Sequence, residues 1–114
     1  MDARELFINV VRNAADVPAQ LAADAVHVRG CEQTLSDDSY MEFLDTQIRR
    51  AARGPEWTER LARRRAGLSP YCNTPLIVGS IRSASADYTV YVDPRRRSIV
   101  FWEGYELNGG DGTA

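Results

Sequence analysis

Arg49, Arg50, Arg53, Arg60, Arg63, Arg64 and Arg65 crowd one helical stretch, and Arg82, Arg95, Arg96 and Arg97 lie on or near a turn. Arginine offers a planar fork that grips phosphate or carboxylate through two parallel hydrogen bonds. If these groups share a face, they make a basic patch able to hold phosphates, with aromatic neighbours to stack on bases. The preferred alternative is that each cluster complements a helix C-terminus or pairs with acids such as Glu56 and Glu59, because charge runs on helices are usually solvated faces. All fourteen basic residues are Arg and none is Lys. So general a replacement points to a GC-rich bacterial genome more than to one site.

Other residues of reactive type are sparse. His27, Cys31 and Cys72 are ligands zinc accepts, but no second cysteine pair is present and the spacing lacks a paired-ligand signature. Cys72 with His27 is a formal thiolate–imidazole pair, yet nothing else marks Cys72 as a nucleophile. A small buried thiol is the simpler account of both cysteines. Glu103 and Glu106 frame Trp102 and Tyr105 in the run WEGYE, where paired carboxylates can do acid–base work; solvated acids at a strand end are the plain alternative. No phosphate-binding glycine loop, metalloprotease helix, nucleophile elbow or CxxC is present. The sequence gives no reason to assign a metal or a cofactor, and it leans away from an enzyme.

The elements that must position these groups follow from periodicity. Leu6, Phe7, Val10, Val11 and Ala14 have helical spacing, although the β-branched run at 5–11 leaves a strand open. Asp16-Val17-Pro18 ends that helix and starts a second, expected over 17–29, with Gly30 as its stop. Ser36 or Ser39 is expected to cap a third helix over 37–53, striped by Tyr40, Phe43, Leu44 and Ile48. Gly54-Pro55 then opens a fourth over 56–66, with Trp57, Leu61 and Leu68 inward and Gly67 as its stop. PLIVGSIR reads as a strand, and Gly79 within it suggests a bulge or a close approach. Tyr88–Glu106 reads as a hairpin turning at Asp93-Pro94 in a type I turn.

The expected fold is α+β: about four helices, the last two a helical hairpin, packed on a three-stranded antiparallel meander. Its length of 114 residues suits a single domain over 1–107 with a flexible tail over 108–114. The net charge of −2 is unevenly placed: −6 over residues 1–45, +5 over 46–66 and −1 over 67–114. No apolar run is long enough to span a bilayer, and the N-terminus lacks the pattern of a secretory signal. A cytoplasmic location and no membrane partner are therefore expected.

Both faces of the hairpin carry apolar residues, so one face should meet the helices and the other needs a cover. That points to a small protein-binding module, of the adaptor, antidote or immunity kind, engaging another protein or its own copy through the aromatic sheet. Nucleic acid is the less favoured partner. The candidate binding residues are Tyr91, Trp102, Glu103, Arg82, Arg95 and Arg97. A third possibility is a small-molecule enzyme or binder, with a pocket between helices and sheet lined by Tyr91, Trp102 and Glu103. The order of helices then meander is similar, in topology only, to RelE/ParE-type toxins, which implies an RNA-acting domain; Arg82, Tyr91, Arg95 and Arg97 are its candidate residues, with no role carried over to any of them. Those toxins begin with a strand, so the resemblance requires residues 5–11 to be extended.

Overall fold

The computed structural model describes residues 2–106, so the tail expected at 108–114 lies outside the described residues. The residues left open between helix and strand are helical: α1 spans Ala3–Asn13 and buries Phe7, Val10 and Val11 on one face. Asp2 starts it, its carboxylate accepting from the Glu5 amide at 2.8 Å, which satisfies one of the amides a helix start leaves open. The strand that a RelE/ParE-like topology requires at the N-terminus is therefore a helix.

The chain divides into two compact units, one comprising the residues up to Thr34 with those from Leu76 onward, the other Leu35–Pro75. The first holds α1, a short α2 (Ala19–Asp24) and the strands β1 (Val28–Leu35), β2 (Pro75–Arg82), β3 (Ala86–Asp93) and β4 (Ser98–Glu106). The sheet has four strands in the order β1-β2-β3-β4, not three, and β2–β3 and β3–β4 are antiparallel. The additional strand is β1, whose first two residues fall within the helix expected over 17–29 and whose third is the glycine expected to stop it. Val28, Cys31 and Thr34 are its inward residues, spaced by three, so it shows no period-two signal. Gly30 and the polar Glu32-Gln33 also argue locally against a strand. Backbone pairing along β2 holds β1 in place where its side-chain pattern does not. The helix expected over 17–29 accordingly stops at Asp24, with one 3-10 turn over Ala25–His27 before β1.

The core of this unit joins Phe7, Val10 and Val11 of α1 to Leu21, Ala25 and Val28, and to Ile77, Ile81, Val90 and Val92 of the sheet. In register, Ile77 faces Val92, Gly79 faces Val90 and Ile81 faces Tyr88, so these side chains share the helix side of the sheet. Gly79 is a site of close approach, because the Phe7 ring occupies the space a Cβ would take. The register of β3 with β4 breaks once: Tyr91 faces Phe101 and Val92 faces Ile99, leaving Val100 as the extra residue of a β-bulge. The bulge shifts the alternation, so that Ile99 and Trp102 fall on one face where strict alternation separates them.

The second unit is the helical hairpin of α3 (Asp38–Arg50) and α4 (Pro55–Leu68). Neither Ser36 nor Ser39 caps α3. Asp37 does, accepting from the Tyr40 amide at 2.9 Å, while Ser36 is buried and its carbonyl accepts from the Asn73 amide at 2.9 Å. Ala51 closes α3 in the left-handed region at φ 49, and Gly54 at φ 94 leads into Pro55, the first residue of α4. Gly67 is not a stop: α4 runs through it to Leu68 and passes into a 3-10 turn at Ser69–Tyr71. Met41, Leu44, Leu61 and Leu68 are buried. Trp57, expected in the core, is half-buried, with the Arg53 guanidinium 4.1 Å from its ring centre.

No helix among the described residues is long and apolar enough to cross a membrane.

Candidate functional site: the open edge of β4

The run SIVFWEGYE is rich in β-branched and aromatic residues and forms the last strand in the sheet order. One edge of β4 therefore has no neighbouring strand among the described residues. The opposite edge strand, β1, exposes Arg29, Glu32 and Gln33, polar side chains of the kind that discourage further pairing. The β4 edge instead presents Ile99-Val100-Phe101-Trp102, and Trp102 is 37% exposed. Its indole meets the Tyr88 ring edge-on, with centres 6.3 Å apart.

A cleft of about 340 Å³ runs along this edge, walled by Ala14, Ala15, Asp16 and Val17 on one side and by the consecutive residues Arg97 to Trp102 on the other. Side chains on a strand alternate between faces. A cavity on one face of a regular sheet touches every second residue. Here five strand residues in a row line it, Ser98 and Phe101 from one face and Ile99 and Trp102 from the other, even with the bulge at Val100, which marks a strand seen edge-on. The cleft thus follows the edge of β4 and not one face of the sheet. The residues that link α1 to α2 overhang it, and Asp16 and Arg97 are both among the residues that line it.

The turn before β4 is held by Asp93, which is 4% exposed. One carboxylate oxygen accepts from the Arg95 amide at 2.9 Å and the Arg96 amide at 3.4 Å. Arg97 re-enters the strand in the left-handed region at φ 53. Such a conformation costs a residue with a side chain about 1–2 kcal/mol, so the turn sets three exposed arginines at the start of β4 at some expense in stability.

The candidate residues named from sequence separate. Arg97 and Trp102 both line the cleft, and Arg95 is exposed on the adjoining turn. Tyr91 is buried, its ring 5.9 Å from that of Phe101. Glu103 is also buried and accepts from the Tyr105 hydroxyl at 3.2 Å. The cleft is lined by Trp102 but by neither Glu103 nor Tyr91, both of which are buried. Arg82 is paired with Asp87 at 2.8 Å, across the β2–β3 ladder. The residues that sequence reasoning missed are Ala14, Ala15, Asp16 and Val17. Their only local signal is that of a helix stop, and their position over β4 depends on the docking of α1.

The arginines of the helical hairpin make contacts within it. Arg65 meets Asp45 at 3.1 Å, Arg63 meets Glu59 at 3.2 Å, and Arg64 donates to the Tyr40 hydroxyl at 3.4 Å. These contacts, with Arg53 over Trp57, agree with complementary pairing inside the hairpin. No group of three or more His, Cys, Asp or Glu placed to hold a metal occurs among the described residues.

Cys72 donates its thiol to the Asp38 carboxylate at 3.2 Å. That hydrogen bond, with a smaller effect of burial, raises the thiol above the ordinary cysteine value. Cys31 is raised chiefly by burial. A raised value means less thiolate at neutral pH, the reverse of what a nucleophile needs. In a Cys31→Ser background, Cys72 is expected to react with a disulfide reagent at pH 7.5 more slowly than glutathione, and Asp38→Ala is expected to speed it. A rate equal to that of glutathione would show that the carboxylate has no hold on the thiol.

Compared with known protein families, with curated proteins and with solved structures, the chain matches none.

Proposed function

We propose that the protein is a non-enzymatic, cytoplasmic protein-binding module that adds an extended partner strand, apolar with an acidic end, to the open edge of β4. The observation that carries this is the cleft walled by five consecutive β4 residues, Ser98 to Trp102, and by Arg97 of the turn before them. Strand addition draws affinity from main-chain hydrogen bonds and specificity from pockets for alternate side chains. The edge supplies the first and the cleft under Asp16 and Val17 the second. The arginines at the start of β4 favour a partner whose C-terminal end carries a carboxylate, since an antiparallel strand brings its end there. An adaptor, antidote or immunity role fits a module of this kind.

The test uses tryptophan emission in a Trp57→Phe background, so that Trp102 is the sole reporter, with protein at about 1 µM to keep any self-association low. A peptide of alternating Val and Thr ending in two Glu is expected to shift the emission saturably. Its Lys-ended counterpart should bind at least about tenfold more weakly, and Val100→Lys should abolish the response. No saturable change with either peptide would end this reading. The runner-up is a small-molecule binder, favoured by a cleft volume at the lower end of the usual range for such ligands.

A further inference from the structure

We infer that the partner strand is β4 of a second copy, so that two protomers join edge to edge in one continuous eight-stranded sheet, twice the four strands of one chain. This rests on the strand-addition reading and names its partner.

The strand carries both halves of the chemistry that its own edge selects. It follows the basic turn Arg95-Arg96-Arg97, has the apolar centre Ile99–Trp102, and ends at Glu106. Two antiparallel copies about a two-fold axis lay each basic turn beside the Glu106 end of the other, so the complement is made twice. The apolar centres meet in the middle, where the exposed indole of Trp102 gains cover. A parallel arrangement sets one arginine turn against the other and is repelled. An isologous two-fold contact also closes on itself and uses up the open edge in both protomers. The β1 edge exposes Arg29, Glu32 and Gln33, side chains that discourage pairing there. Asp16 leaves the cleft mixed in charge, and Arg95 and Arg96 on the adjoining turn tip the balance toward an acidic strand end.

The bulge supplies a clean variant. Val100 has no partner in the register with β3, and proline in a sheet is tolerated at bulges and edges. Val100→Pro and Val100→Lys each place on the edge strand a residue type that blunts strand pairing, by two different routes.

Sedimentation velocity on the full chain, from about 5 to about 200 µM, is expected to show a dimer whose fraction rises with concentration and falls with added salt. Val100→Pro and Val100→Lys should both sediment as monomers, with far-UV circular dichroism and Tm checked against the parent so that unfolding is not mistaken for dissociation. Arg97→Glu should weaken the dimer about tenfold, and Arg97→Glu with Glu106→Arg should recover most of that loss. Recovery is specific to antiparallel pairing, because only that arrangement brings the two positions together. A strict monomer throughout the range, with the acidic peptide still bound, overturns the second-copy inference and leaves strand addition standing. A dimer that survives both Val100 substitutions overturns it as well, because its contact lies elsewhere.

Discussion

Gly79→Ala is expected to destabilise the protein by about 3 kcal/mol, at the upper end of overpacking costs. The new methyl group lands in the Phe7 ring, and Phe7 is fully enclosed. A clash with the far end of a flexible chain is relieved by a rotamer change, but a ring packed between α1 and the sheet has nowhere to go. The position looks inexpensive from sequence, since alanine has a somewhat better strand and backbone-entropy balance than glycine. Contact with Phe7 reverses that sign. For a domain of this size the loss corresponds to a fall in Tm of roughly 10–20 °C, measured with urea denaturation as a second probe. In a Phe7→Leu background the same substitution should cost under about 1 kcal/mol, because the smaller side chain makes room. A Gly79→Ala protein as stable as the parent would mean that the ring does not lie over Gly79.

Leu44→Ala should cost about 3 kcal/mol, while Trp57→Ala should cost only about 1 kcal/mol. The order is the reverse of what side-chain size suggests. Leu44 is fully enclosed, so its truncation leaves a cavity. Trp57 is half-buried and faces the Arg53 guanidinium, so its loss removes a partly solvated cation–π contact and some area. Periodicity places both residues on inward stripes and gives Trp57 the larger expected effect, because pattern reports direction and not depth. Chemical denaturation of the two variants side by side decides the order. An equal loss of 3 kcal/mol or more at both positions would return Trp57 to the core.

Much of the framework is legible locally. The helical spacing of Phe7, Val10 and Val11, the Gly54-Pro55 break, the strand at PLIVGSIR and the Asp93-Pro94 turn are each fixed by residues within a few positions of one another. Periodicity and turn chemistry act over that range. The misses share a cause. Strand β1 has a side-chain pattern too weak to announce it and exists through pairing with a segment more than forty residues away. Asp37 takes the capping role from two serines because Ser36 is turned inward, its carbonyl bonded to Asn73. Gly67 continues a helix that its residue type would end.

The candidate site divides along the same line. Sequence alone determined that Arg95, Arg96 and Arg97 precede an apolar, aromatic strand ending in an acid, because that order is covalent. It also determined that Trp102 and Glu103 point apart, because adjacent side chains on a strand do. Only the tertiary structure decided that β4 is an edge, that the residues linking α1 to α2 overhang it, and that Tyr91 and Glu103 are buried while Trp102 remains open. Strand order and burial depend on which distant segments pack together, and the single bulge at Val100 was enough to change which side chains share a face.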